Sequence, residues 1–182
     1  ESYSGMRALR WAGVSKKKAL WLGGTLGIIL QTPIEVFDGI YEGYGFSAGD
    51  MVANAGGSAL LISQELLWSE QRLILKFSYS STPYPKYRPA YFGTSAVENF
   101  VSDYNGHTYW LSGNLSDFLP NSGIPKWLNL ALGIGADGML GELKNPTSKP
   151  NGEPLPEFEQ TRQLYFSVDV DLRKIPTKSK FL

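Results

Sequence analysis

The chain contains no cysteine and a single histidine, His107. The first absence excludes disulfides, thiolate metal sites and a lipid-modified cysteine within this stretch, so any lipid anchor is expected upstream of Glu1. The second rules out a two-histidine metal site, and a triad built on His107 has no Ser and Asp that can be assigned to it. Net charge is lacking too: 17 Lys and Arg balance 17 Asp and Glu. Without a global field, nucleic acid is disfavoured as a partner. The chain shows no internal repeat and no long low-complexity tract, and its start resembles a signal peptide less than the middle of a helix. Glu1 to Trp11 reads like the middle of a helix, and Lys178 to Leu182 carries no stop signal. The sequence is therefore expected to be a piece of a longer protein.

What is present is a chain of 182 residues, long enough to bury a sizeable core in one domain or two small ones. Aromatics make up 13% of it, with many Tyr and Trp beside Gly, Ser and Asn. That mixture is common in envelope and outer-membrane proteins and occurs in soluble β-rich proteins as well. The stretch from Ile34 to Trp68 stands out, because Glu35, Asp38, Asp50 and Asn54 are set at helical spacing into apolar surroundings. Unpaired carboxylates there would be costly, so something must compensate them.

The spacing predicts a short helix over residues 3–12, with Gly13 as its C-cap. Ser15 is placed to cap a second helix through Lys16–Lys18 into Ala19–Leu30. Its roughly twelve apolar or small residues fall short of the about 20 that span a bilayer. The expectation is a buried core helix with a Gly23/Gly27 close-packing face, against the alternative of a membrane-inserted half-helix. Pro33 kinks or restarts the helix. Gly39, Gly43 and Gly45 among Tyr41, Tyr44 and Phe46 read as a turn, and Ser47-Ala-Gly-Asp50 has the form of a capping box. A further helix is expected from about Gly49 to Glu70, its small face of Ala53, Gly56, Gly57 and Ala59 packed closely against another backbone.

Alternation begins at Leu73, with Leu75, Phe77 and Tyr79 on one side of the first strand. Three prolines in Thr82–Pro89 end it. Residues 94–104 read as weakly helical, Thr108–Ser112 as a short strand after the Asn105-Gly106 turn, and 116–123 as a loop with one helical turn. In Trp127–Gly135 the residues Leu128, Leu130, Leu132 and Ile134 share a face. In Arg162–Leu172 the set Leu164, Phe166, Val168, Val170 and Leu172 opposes Tyr165, Ser167, Asp169 and Asp171. Such dyads fit an outer-membrane strand and also a soluble sheet with one wet face. Glu142 to Glu159 reads as a mobile hairpin loop. The expected class is α+β: an N-terminal short-helix hairpin over 1–72 packed with a C-terminal antiparallel β-structure over 73–182, which fits part of an outer-membrane-type barrel.

The run Ile34–Asp38, Tyr44–Asn54 and Gln64–Arg72 resembles the YfiM-like family of predicted periplasmic lipoproteins of unknown function. The resemblance continues through Leu75–Ser78, Asp103–Ser112, Pro125–Asn129, Gly133–Met139 and Ser167–Leu172, nearly the whole chain. The helical half is also similar to VanZ-like short membrane helices through Ser47, Asp50, Asn54 and Gly57. The resemblance implies a Gram-negative envelope location and transfers no catalytic residue.

Two readings of the polar residues stay open. Glu35, Asp38, Asp50 and Asn54, with an upstream His, can form a metal or acid/base site. Alternatively Asp50 stabilises a helix N-terminus, Asn54 bridges to the turn, and the acids pair with Arg7, Arg10 or Arg72. His107 is expected to be exposed and Asp103 to serve the Asn105-Gly106 turn, while Asp169 and Asp171 either line a polar lumen or point to solvent, with solvent the default. Gly133–Gly138 lacks the spacing of a nucleotide loop. The function expected is a non-catalytic envelope protein of the bacterial outer membrane or periplasm, acting as an assembly or interaction component. Its partners would be the outer membrane and other envelope proteins, with lipid as a further ligand and no nucleic acid, cofactor or metal. The alternatives are an envelope enzyme acting on lipid or cell-wall material through Glu35, Asp38 and Asp50, and a small barrel binding a lipid or protein in its mouth.

Overall fold

The computed structural model describes residues 2–40 and 46–177, apart from the side chain of Asp38. The turn expected at Tyr41, Gly43, Tyr44 and Gly45, and the end from Lys178 to Leu182, lie outside the described residues. The fold is α+β, with helices first and an antiparallel sheet after them. The chain divides into two compact units, Glu1–Gln71 and Arg72–Leu182.

In the helical unit α1 (Ser2–Trp11) ends where Gly13 takes a φ of +84°. Gly13 N–H then reaches the Arg10 carbonyl at 3.1 Å and Val14 N–H the Leu9 carbonyl at 2.9 Å, the double bond of a Schellman terminus. Ser15 occupies the N-cap position of α2 (Lys16–Gly24) but makes no capping bond with its side chain. After Thr25, α3 (Leu26–Ile40) follows almost without a break, since Ile29 N–H bonds the Thr25 carbonyl. α4 (Ala48–Trp68) closes at Ser69, which has a φ of 57°. Met6, Ala19, Leu20 and Leu61 form the buried centre, with Leu9, Val14 and Ile62 against it. Gly23 lets α1 and α2 touch: a methyl group there would sit 2.3 Å from Met6 Cα. Gly27 N–H bonds Ser2 Oγ at 2.8 Å.

Three expectations for this half are corrected. The apolar stretch is not too short to cross a membrane, because Pro33 lies inside α3 and the helical run continues past it. A proline there removes one donor, the bond to the Ile29 carbonyl. Lys16–Phe37 gives 22 residues, with a mean hydropathy of 1.3 over an 18-residue window, long and apolar enough to span by length and composition. Nor is it a buried core helix: Ala19, Leu20, Gly23 and Gly24 face inward, while Leu22, Ile29, Ile34, Phe37 and Ile40 are exposed. Gly56 and Gly57 on α4 also depart from expectation, since a methyl group at either would meet nothing within 4 Å among the described residues.

The second unit is a meander of β1 (Leu73–Tyr79), β2 (His107–Asn114), β3 (Leu128–Asp137) and β4 (Thr161–Val170), in the order β1-β2-β3-β4. Every pairing is antiparallel. The sheet is open, with β1 and β4 at its edges, and does not close into a barrel. Between β1 and β2 the prolines give a 3-10 turn at Tyr84–Lys86 and the short helix α5 (Pro89–Phe92), followed by α6 (Ala96–Ser102). Tyr84, Phe92, Leu140 and Leu155 make a small core there, with Tyr87 and Phe158 against it. After β2 comes the single helical turn α7 (Leu115–Phe118). The 142–159 stretch is tied down by Asn145, whose Nδ2 donates to the carbonyls of Gly138 at 2.7 Å and Phe158 at 2.8 Å.

Candidate functional site

The acidic residues of the helical unit are the first place to look for chemistry. Ser47 caps α4 by accepting the Asp50 N–H at 3.1 Å, which is half of a capping box. The reciprocal half comes from Glu35 on α3, whose buried carboxylate accepts the Ser47 N–H at 3.2 Å. Glu35 thus ties α3 to the start of α4, where the helix dipole favours a negative charge. Asp50 is exposed, Asn54 is half-buried, and the Asp38 side chain lies outside the described residues. Among the described residues no three His, Cys, Asp or Glu side chains are placed to hold a metal ion.

Of the arginines expected to neutralise these acids, Arg7 is exposed, and Arg10 and Arg72 bond other groups. Arg10 Nη2 donates to Glu65 near the other end of α4 at 2.7 Å. Gln71 Nε2 donates to the other Glu65 oxygen at 3.2 Å and to the Leu61 carbonyl at 3.1 Å, while Gln71 Oε1 accepts from Gln64 Nε2 at 3.0 Å. Arg72 Nη1 donates to the Asp117 carbonyl at 2.9 Å. Sequence reasoning missed Glu65 and Gln64, both buried. The available signal was a Gln-Glu pair on the face that carries Leu61.

The sheet holds the feature that sets this molecule apart. The register aligns four transverse rows on one face: Tyr79, His107, Ala136 and Arg162; Phe77, Tyr109, Ile134 and Leu164; Leu75, Leu111, Leu132 and Phe166; Leu73, Gly113, Leu130 and Val168. Leu128 and Val170 extend it. The only charged side chain in the set is Arg162, in an end row. This apolar face is bare: Leu132 is 63% exposed, Phe166 66% and Leu164 82%.

The opposite face carries Lys76, Ser78, Thr108, Trp110, Ser112, Asn114, Asn129, Tyr165 and Asp169; Ser78 and Tyr165 are exposed, but Ser112, Asn114 and Asn129 are buried. Ser112 and Asn129 are each 0% exposed. Lys76 Nζ donates to Asp169 Oδ2 at 2.6 Å and to the Val170 carbonyl at 3.0 Å. Ser112 Oγ donates to Asp169 at 2.5 Å, Asn129 Nδ2 to Ser112 Oγ at 2.8 Å, and Asn114 Nδ2 to Asn129 Oδ1 at 2.7 Å. A flat sheet would hold β1 and β4 about 14 Å apart, three strand spacings of roughly 4.8 Å. The Lys76–Asp169 contact therefore requires a curled sheet with its polar face inside. Trp110 fills the hollow, its ring lying where a methyl group on Gly133 would come within 2.6 Å, and 5.9 Å from the Tyr165 ring.

Asp169 and Asp171 do not point to solvent as expected. Asp169 is held in the network just described, and Asp171 is buried against the Arg173 guanidinium at 2.7 Å. Arg173 holds the Asp171 carboxyl below its ordinary range, outweighing the upward push of burial. His107 is likewise buried, its Nε2 at 2.7 Å from the Phe100 carbonyl, because Phe100 and Tyr104 from neighbouring elements cover it. Asp103 serves the turn, accepting the Asn105 N–H at 3.2 Å and Nδ2 at 2.8 Å. The Gly133–Gly138 run lies mostly in β3.

No protein-family model, curated protein or solved structure matches the chain.

Proposed function

We propose that this chain is a non-catalytic component of a bacterial outer membrane that works by joining other envelope parts, its sheet set into the lipid with the apolar convex face outward. One observation carries the reading: the sheet leaves most of its apolar face bare while burying Ser112, Asn114 and Asn129 on the other, the reverse of a soluble domain. Burying apolar surface is the main favourable term for a chain in water, and exposed apolar patches of this extent mark a membrane or partner contact. Strand length agrees. Ten residues in β3 and β4 extend about 33 Å, and a tilt of roughly 40° turns that into about 25 Å, the height of the apolar band on membrane barrels.

Hydrocarbon cannot satisfy backbone N–H and C=O groups, so the edge strands β1 and β4 need further strands beside them in a membrane. That requirement is the basis for an assembly or interaction role. The YfiM-like resemblance points to the same compartment, and the apolar run Lys16–Phe37 adds a second segment able to enter lipid. Glu35, engaged as a helix cap, fits structural service better than acid/base work.

Fractionation of cells producing the intact protein tests this. It is expected to remain with outer membranes after carbonate washing and to bring other envelope proteins down with it. Recovery in the soluble fraction would overturn the reading.

A further inference from the structure

Resting on the membrane reading, we infer that the His107 end of the sheet lies at the bilayer surface and that α6 lies along the phospholipid headgroups as an interfacial helix. The rows of the apolar face differ in chemistry along the strands. The row of Leu75, Leu111, Leu132 and Phe166, and the row of Leu73, Gly113, Leu130 and Val168 beyond it, carry no polar side chain. Toward the end where β1 stops and β2 begins, aromatic groups with polar tips take over. The His107 ring lies 5.1 Å from Phe77, 5.3 Å from Tyr104, 5.8 Å from Tyr79 and 6.3 Å from Tyr109. The lone charge of the face, Arg162, lies in this same end row, where a long side chain can carry its head out to water and phosphate.

α6 continues the apolar surface beyond the strands. Phe100 packs edge-on against Phe77 at 5.8 Å and Tyr79 at 5.2 Å, which fixes the helix to this end of the sheet. Ser95 and Glu98 close its N-terminus with a complete capping box. Val97, 74% exposed, and Val101 are left uncovered. Tyr104, which follows α6, is exposed beside them. Apolar bodies with hydroxyl tips collect at headgroup depth because one part of the group favours lipid and the other water. Phe100 too keeps 45% of its surface exposed despite its ring contacts, so α6 buries none of its apolar side chains within the chain.

Because the chain has no cysteine, one introduced thiol carries one spin label. The intact protein, reconstituted in vesicles of phosphatidylethanolamine and phosphatidylglycerol, is labelled in turn at Leu132→Cys, Val97→Cys and Leu143→Cys. All three positions are solvent-exposed, so the substitutions should leave the fold intact. Collision with oxygen, which concentrates in lipid, is compared with collision with a water-soluble nickel chelate. The expected order is oxygen-dominated at 132, nickel-dominated at 143, and several-fold from both at 97. Nickel access at 97 equal to that at 143 overturns the placement of α6 while the membrane reading survives. Nickel-dominated collision at 132 overturns both.

Discussion

Lys76 on β1 and Asp169 on β4 meet at 2.6 Å although β2 and β3 lie between them. In register Lys76 belongs to the row of Trp110, Gly133 and Tyr165, so the contact also runs four residues along β4. It is the diagonal along which a curled sheet of tilted strands approaches itself. The ion pair thus reports and sustains the curl that turns the polar face inward.

Lys76→Met should therefore destabilise the protein by about 1–3 kcal/mol, between the values for exposed and fully buried pairs, since both side chains are partly covered. Adding Asp169→Asn should cost less than the sum of the two single changes, because each removes the same contact. Urea unfolding in detergent measures both. Additive losses would mean that the pair does not brace the sheet.

Two glycines make opposite predictions. Gly23→Ala brings a methyl group to 2.3 Å from Met6 Cα, so α1 and α2 must part, at a cost of about 1–3 kcal/mol. Gly56→Ala meets open space in the interior of α4 and should gain about 0.5–1 kcal/mol from helix propensity. Thermal melts of the two variants should move in opposite directions.

At the start of α4 the Ser47 oxygen is the cap. Ser47→Ala should cost about 0.5–2 kcal/mol. Asp50 contributes its backbone N–H while its side chain is exposed, so Asp50→Asn loses at most the dipole interaction, about 0.3–1 kcal/mol. Comparing unfolding midpoints of the two separates the hydroxyl from the carboxylate.

Acid should act partly through Asp171. Its carboxyl is held below its ordinary range by Arg173, so its unfolded form binds a proton first as pH falls. The stability this provides is complete above the unfolded value of about 3.9 and disappears as pH drops through the lower folded value. Asp171→Asn should flatten the acid limb of a stability-pH curve below about pH 5, followed by Trp fluorescence.

Much of this fold can be read along single segments. Alternation alone places β1 from Leu73 to Tyr79, and Gly13 marks the end of α1, because both depend on neighbours in sequence. β4 ends before Leu172 because Asp171 turns its N–H to the Trp127 carbonyl and its carboxylate to Arg173. The candidate surface is different in kind. Whether the apolar dyads face water, lipid or a core depends on what covers each face, and the covered side is chosen by the Lys76–Asp169 contact across 93 residues. His107 is buried by α6, and the Ser47 N–H finds its acceptor twelve residues upstream in Glu35. No local pattern carries either pairing.

The central claim, that the bare apolar face meets hydrocarbon, is tested most directly by Phe166→Arg. Phe166 is already exposed in the isolated chain. In a sheet that meets water the change should alter stability by no more than about 0.5 kcal/mol. In a sheet facing lipid, an arginine near mid-membrane costs about 2–4 kcal/mol. Equilibrium unfolding of the intact protein in phospholipid vesicles should give a loss in that higher range; a change within about 0.5 kcal/mol would contradict the claim.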